Sequence, residues 1–151
     1  MIGHNDAPPF NAVWDEAGLV GFMDWDMSGP LALESDVVWM AFWCVPLHAR
    51  EVVEAEGFTD FGNRCRRLEL SLREYCLGGS GWNLTADGLL DVLRLSLRVK
   101  IDAVRATAHS GHATYQGLLD HGSDLLLVCD LEGLDEVWPG PAGRDVSSMF
   151  N

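Results

Sequence analysis

His4-Asn5-Asp6-Ala7-Pro8-Pro9-Phe10-Asn11, followed by Met23-Asp24-Trp25-Asp26, is the stretch whose reading decides the fold. Between the two segments lie two apolar runs, Asn11-Ala12-Val13-Trp14 and Leu19-Val20-Gly21-Phe22-Met23. Asp15-Glu16-Ala17-Gly18 interrupts them with turn-forming residues. This pattern predicts a β-hairpin with a four-residue loop, Gly18 taking the positive-φ position. Antiparallel pairing folds the hairpin's ends onto one another, so Asn11 and Asp24 become neighbours able to share one ion.

The chemistry of these residues is that of a phosphoryl-transfer site. Such transfer asks a protein mainly for positioning and charge neutralisation. Asp6, at a loop tip, suits the acceptor of a proton from an attacking hydroxyl. Asn11 offers a carbonyl oxygen and Asp24 a carboxylate, the hard oxygen ligands that magnesium prefers. His4 is expected to pack and to hydrogen-bond the loop backbone rather than to act as a base. Asp26 falls on the opposite strand face and is a supporting candidate. Pro8-Pro9 should stiffen the loop.

Downstream the pattern turns helical. A long apolar stretch after Asp36 runs to Leu47, with Ser35 as the expected N-cap and Pro46 as the stop. Its Trp39, Met40, Phe42 and Trp43 are expected in a core. Residues 48–59 read as a charged connector. Over 60–77, Phe61, Cys65, Leu68, Leu72, Tyr75 and Cys76 share a face, with Arg64, Arg67 and Glu74 off it. Arg64, Arg66 and Arg67 are therefore expected on a solvated surface. Gly78-Gly79-Ser80-Gly81 is a loop, and Thr85 caps a helix to about His109 that carries Leu89, Leu90, Leu93, Leu97, Ile101 and Val104 inward. Gly111 breaks it. Shorter helices are expected over Thr114 to His121 and Ser123 to about Val137. His109 and His112 read as capping or exposed. The expected architecture is α+β and mostly helical: a hairpin followed by a bundle of four or five helices over 1–138, then an irregular tail over 139–151.

Composition narrows the function. The chain has 151 residues, 48% hydrophobic and 22% charged, which fits one folded domain. A net charge of −13 disfavours nucleic-acid partners and attracts cations. The four cysteines, Cys44, Cys65, Cys76 and Cys129, form no C-x-x-C pair. Cys44, Cys65 and Cys129 read as small core fillers. No signal peptide or membrane span is legible, since the first ten residues are polar and the apolar run at 37–45 is too short for a bilayer. A reducing cytoplasm is the expected setting.

Taken together, His4-Asn5-Asp6, Pro9, Asn11 and Met23-Asp24-Trp25 resemble the C-terminal lobe of the aminoglycoside phosphotransferase family, which is protein-kinase-like. Gly29-Pro30 and Asp36-Val37-Val38 resemble that family's stretch after the metal-binding aspartate. The likeness is specific over residues 4–47 and looser over 60–137. It implies Asp6 as catalytic base, Asn11 and Asp24 as magnesium ligands, and Asp36 as a structural partner of the catalytic loop. It implies ATP or GTP as donor and a hydroxyl of a small, cationic molecule as acceptor. Glu69, Glu74 and Asp102 are helix acids that such an acceptor pocket would draw on. The family's N-terminal nucleotide lobe, with its strand lysine, has no counterpart in these residues; the one lysine, Lys100, lies inside a helix. The expectation is therefore a partial phosphotransferase. The alternative is an inactive remnant that binds proteins or ligands. In either case a lobe interface of roughly 600–1,500 Å² would be left for self-association or a partner chain.

Overall fold

The computed structural model describes residues 2–4, 6–26, 28–30, 33–55, 57–77 and 84–138. The loop at 78–81 and the tail at 139–151 lie outside the described residues. Two small antiparallel ribbons come first. β1 (Ile2–Gly3) pairs with β4 (Gly29–Pro30), and β2 (Ala12–Asp15) pairs with β3 (Gly18–Phe22). The second ribbon is the expected hairpin, with Gly18 at φ 127°. Its turn is tighter than four residues, because Asp15 already pairs with Gly18 and only Glu16 and Ala17 form the loop. The Asp15 carboxylate explains this: it accepts the N–H groups of Ala17 at 2.7 Å and Gly18 at 3.2 Å, an Asx turn.

Six α-helices follow among the described residues: α1 (Leu33–Cys44), α2 (Arg50–Ala55), α3 (Arg64–Tyr75), α4 (Ala86–His109), α5 (Ala113–Asp120) and α6 (Ser123–Val137). The chain is thus α+β and mostly helical. α1 begins before Ser35, which sits inside it rather than capping it; Leu33 and Glu34 are good helix formers and extend the first turn backwards. α2 replaces the connector expected at 48–59. Six residues are too few for periodicity to declare a helix, and burial of Val53 supplies the tertiary support. Thr85 does cap α4, its hydroxyl accepting the Gly88 N–H at 3.1 Å. Gly111 and Gly122, at φ 89° and 73°, end α4 and α5.

The core gathers where α1, α3, α4 and α6 meet. All six apolar positions expected to face inward from α4 are buried, and Val38, Phe42, Leu68 and Leu134 close against them. Each such side chain contributes about 1.5–3 kcal/mol. Trp39 and Trp43 are only half-buried at the edge of this core. The surface position expected for Arg64 and the core positions expected for Cys44 and Cys129 are corrected. Arg64 is 2% exposed, because its guanidinium donates to the backbone carbonyl of His48 at 3.0 Å in the turn after α1. Cys44 and Cys129 are exposed rather than in the core, while Cys65 is half-buried and packs against it. His109 and His112 are exposed, as expected. No helix among the described residues is long and apolar enough to cross a membrane.

Candidate functional site

The β1–β4 pairing returns the chain after the hairpin to the side of its own start, and His4 exploits that closure. His4 is buried. Its backbone N–H donates to Asp36 Oδ2 at 3.0 Å, tying the loop to α1. Its Nδ1 accepts the Asp6 N–H at 3.3 Å, so the proton sits on Nε2 and is donated to the Met23 carbonyl at 3.0 Å. One neutral imidazole thereby sets the loop, the hairpin's end and the helix in register. Trp25 covers it, ring centroids 4.5 Å apart. Phe10 meets Trp43 edge-on at 5.8 Å and seats the loop on α1.

Asn11 ends a 3-10 turn, Pro9–Asn11, and is buried. Its amide nitrogen donates to the Asp6 carbonyl at 3.1 Å and to Asp6 Oδ2 at 3.4 Å. With the nitrogen so engaged, the carbonyl oxygen is the atom left to meet a cation. The Met23 N–H donates to the backbone carbonyl of Asn11 at 2.8 Å, and Asp24 follows directly. The hairpin therefore brings the backbone of Asn11 beside that of Met23, the residue before Asp24. Asp24 has φ 61°, a left-handed conformation that aspartate tolerates better than most residues and that turns the chain sharply out of β3. Asp6 is half-buried, and Asp24 and Asp26 are exposed.

Asn11 and Asp24 offer an amide and a carboxylate oxygen, hard donors of the kind that a divalent cation accepts. Among the described residues, no group of three or more His, Cys, Asp or Glu gathers for an ion. One amide and one carboxylate would leave most of an octahedral shell to other oxygen donors.

Lys100 and Trp39, which the motif does not contain, meet between α4 and α1. Lys100 of α4 places its ammonium 4.5 Å from the centroid of the Trp39 ring on α1. The residue is exposed as a whole, but lost hydration at its head group holds the ammonium below the ordinary lysine range, while the Asp6 carboxylate pushes it back up. The signal in the sequence was that Lys100 is the one lysine of the chain. Its helical setting gave no hint of which loop it would meet.

A cavity of about 280 Å³ lies under the loop, lined by His4, Ala7, Phe22, Trp25, Asp36 and Met40 among others. A larger one, about 470 Å³, has Glu69, Arg73, Asp87 and Trp138 in its wall and none of the motif residues. Of the other acids singled out, Glu74 is exposed and paired with Arg73 at 2.7 Å, and Asp102 is exposed on α4. Comparison with protein-family models, curated proteins and solved structures gave no match for this chain.

Proposed function

We propose that this chain carries the catalytic lobe of a phosphotransferase resembling aminoglycoside phosphotransferases, one that moves the γ-phosphate of ATP or GTP to a hydroxyl of a small molecule. The observation that carries this reading is the hydrogen-bonded unit of Asp6, Asn11 and Met23-Asp24, which joins a proton acceptor to two oxygen donors. Asp6 orients the acceptor hydroxyl and takes its proton as the oxygen attacks phosphorus. Asn11 and Asp24 would hold magnesium, which supplies charge neutralisation to the donor's phosphates when bound. His4 and Asp36 keep the loop rigid, so that the base stays in line. The net charge of −13 favours an acceptor with cationic groups. The base and ribose of the donor would be covered by a further lobe, in the manner of the resembled family.

The test is phosphate transfer from ATP or GTP to a panel of amino alcohols and polyols with magnesium present. The Asp6→Ala variant should lose all turnover while keeping the wild-type melting temperature. Equal turnover in Asp6→Ala would remove the assignment.

A second reading, an inactive binding module, is favoured by the hairpin's surface. Phe10, Trp14, Val20 and Trp25 are 69%, 63%, 63% and 52% exposed. Apolar area of this kind marks contact surfaces. Folded protein that binds neither magnesium nor nucleotide, yet associates through this surface, would select this reading over the first.

A further inference from the structure

We propose that the outer edge of β2 takes up an extended segment of a partner protein, one whose apolar and basic side chains alternate, as an added strand of the ribbon. This rests on reading the hairpin as a contact surface. The first argument is the open backbone. β2 and β3 form a two-stranded sheet with no third strand among the described residues. The Met23 N–H reaches the backbone carbonyl of Asn11. By the alternation of an antiparallel pair, Val13 also turns its backbone groups to β3, and Ala12 and Trp14 turn theirs outward. The Ala12 N–H donates to the Pro9 carbonyl. The Ala12 carbonyl and both backbone groups of Trp14 are left without a partner among the described residues. β3 is a poorer edge: the register shift leaves Val20 as an extra residue, and the Trp25 indole N–H already donates to the Phe22 carbonyl at 2.9 Å. β2 carries neither a proline nor a lysine, residues that ordinarily blunt an edge.

The second argument is side-chain pattern and charge. Successive residues of β2 point to opposite faces, so Trp14 lies on one face beside its cross-strand partner Leu19, and Val13 and Asp15 lie on the other. Trp14 and Leu19 are exposed. An added strand therefore meets an apolar pair on one face and a carboxylate on the other, which apolar and basic side chains in alternation match. Around the ribbon Asp15, Glu16, Asp24 and Asp26 are all exposed, and residues 1–49 hold no lysine or arginine. That field repels a second copy, an anionic membrane and nucleic acid alike, and draws a basic segment. In strand addition the main-chain hydrogen bonds give affinity and the alternate side chains give specificity.

The probe is an acetylated, amidated hexapeptide of alternating lysine and leucine, added to the full chain labelled with 15N and followed by NMR. It should bind, shift the Trp14 amide resonance and slow that amide's hydrogen exchange. Binding should weaken about tenfold from low to high salt. Asp15→Asn combined with Glu16→Gln, which keeps an acceptor for the turn and removes both charges, should weaken it by a similar factor. The same peptide N-methylated at every residue cannot donate to the edge and should not bind. An alternating glutamate–leucine peptide should not bind either. Equal binding of the N-methylated peptide, or an unprotected Trp14 amide in the bound state, overturns the proposal, because charge and apolar contact alone would then hold the segment. Equal binding of the glutamate peptide overturns it as well. A hairpin indifferent to the lysine peptide that still self-associates at high salt overturns the proposal and keeps the contact-surface reading. Failure of that reading looks different: the hairpin resonances answer no peptide, and light scattering shows no association at any salt concentration.

Discussion

His4 holds three parts of the site with one ring and one amide. Its neutral tautomer is imposed by its partners: Asp6 N–H needs a bare nitrogen, and the Met23 carbonyl needs a proton. His4→Phe keeps the ring packing against Trp25 but leaves the Asp6 amide and the Met23 carbonyl unsatisfied. It should lower stability by about 1–3 kcal/mol in denaturant titration and reduce any turnover. Asp24 makes a different demand, because its carboxylate is the proposed metal ligand and its backbone occupies the left-handed region. Asp24→Asn tolerates that backbone and removes the charge. The expected outcome is an unchanged melting temperature with weakened manganese binding, read by water-proton relaxation. The approach of Asn11 to Met23 was legible in sequence because both sit on one hairpin, where spacing alone fixes proximity. Lys100 and Trp39 were not, since their meeting depends on how two helices pack.

At the scale of elements, the bundle is locked by a buried polar link that no local pattern announces. The Asp130 carboxylate on α6 accepts the Ala49 N–H at 2.8 Å and lies 3.2 Å from His48 Nδ1 in the turn before α2. Phe42 and Trp43 of α1 flank the same imidazole, at 3.8 and 4.5 Å between centroids. Gly133 lets α6 approach this turn, since a Cβ there would stand 3.1 Å from the Ala49 Cα. Asp130→Ala strands two buried donors and should cost about 2–4 kcal/mol by chemical denaturation. Thr85→Ala, which removes only the α4 cap, should cost about 1 kcal/mol. The reversed order of these two losses would mean that the buried link contributes little. α4 itself was legible because eight of its residues are buried at helical spacing along a 24-residue span. α2 was not, because a six-residue helix is held by its surroundings rather than by its own period.

On the scale of the whole molecule, two surfaces pull in different directions. The net charge of −13 favours dispersal of copies of the chain, while the exposed apolar residues of the hairpin would favour association. Raising salt screens the first and spares the second, so self-association should increase between low and physiological ionic strength. Light scattering across a salt series checks this, and Trp14→Ser with Val20→Ser should abolish the increase. These two side chains lie on the hairpin surface, so the helical bundle's melting should not change.

The sequence by itself determined the hairpin, the approach of Asn11 to Met23, and the inward face of α4, because each follows from short-range spacing and a local period. Tertiary structure alone decided that Arg64 is buried, that Asp130 holds His48 and that Lys100 meets Trp39. Such contacts join side chains dozens of residues apart, and their energies depend on desolvation and partner geometry that exist only once the helices have packed.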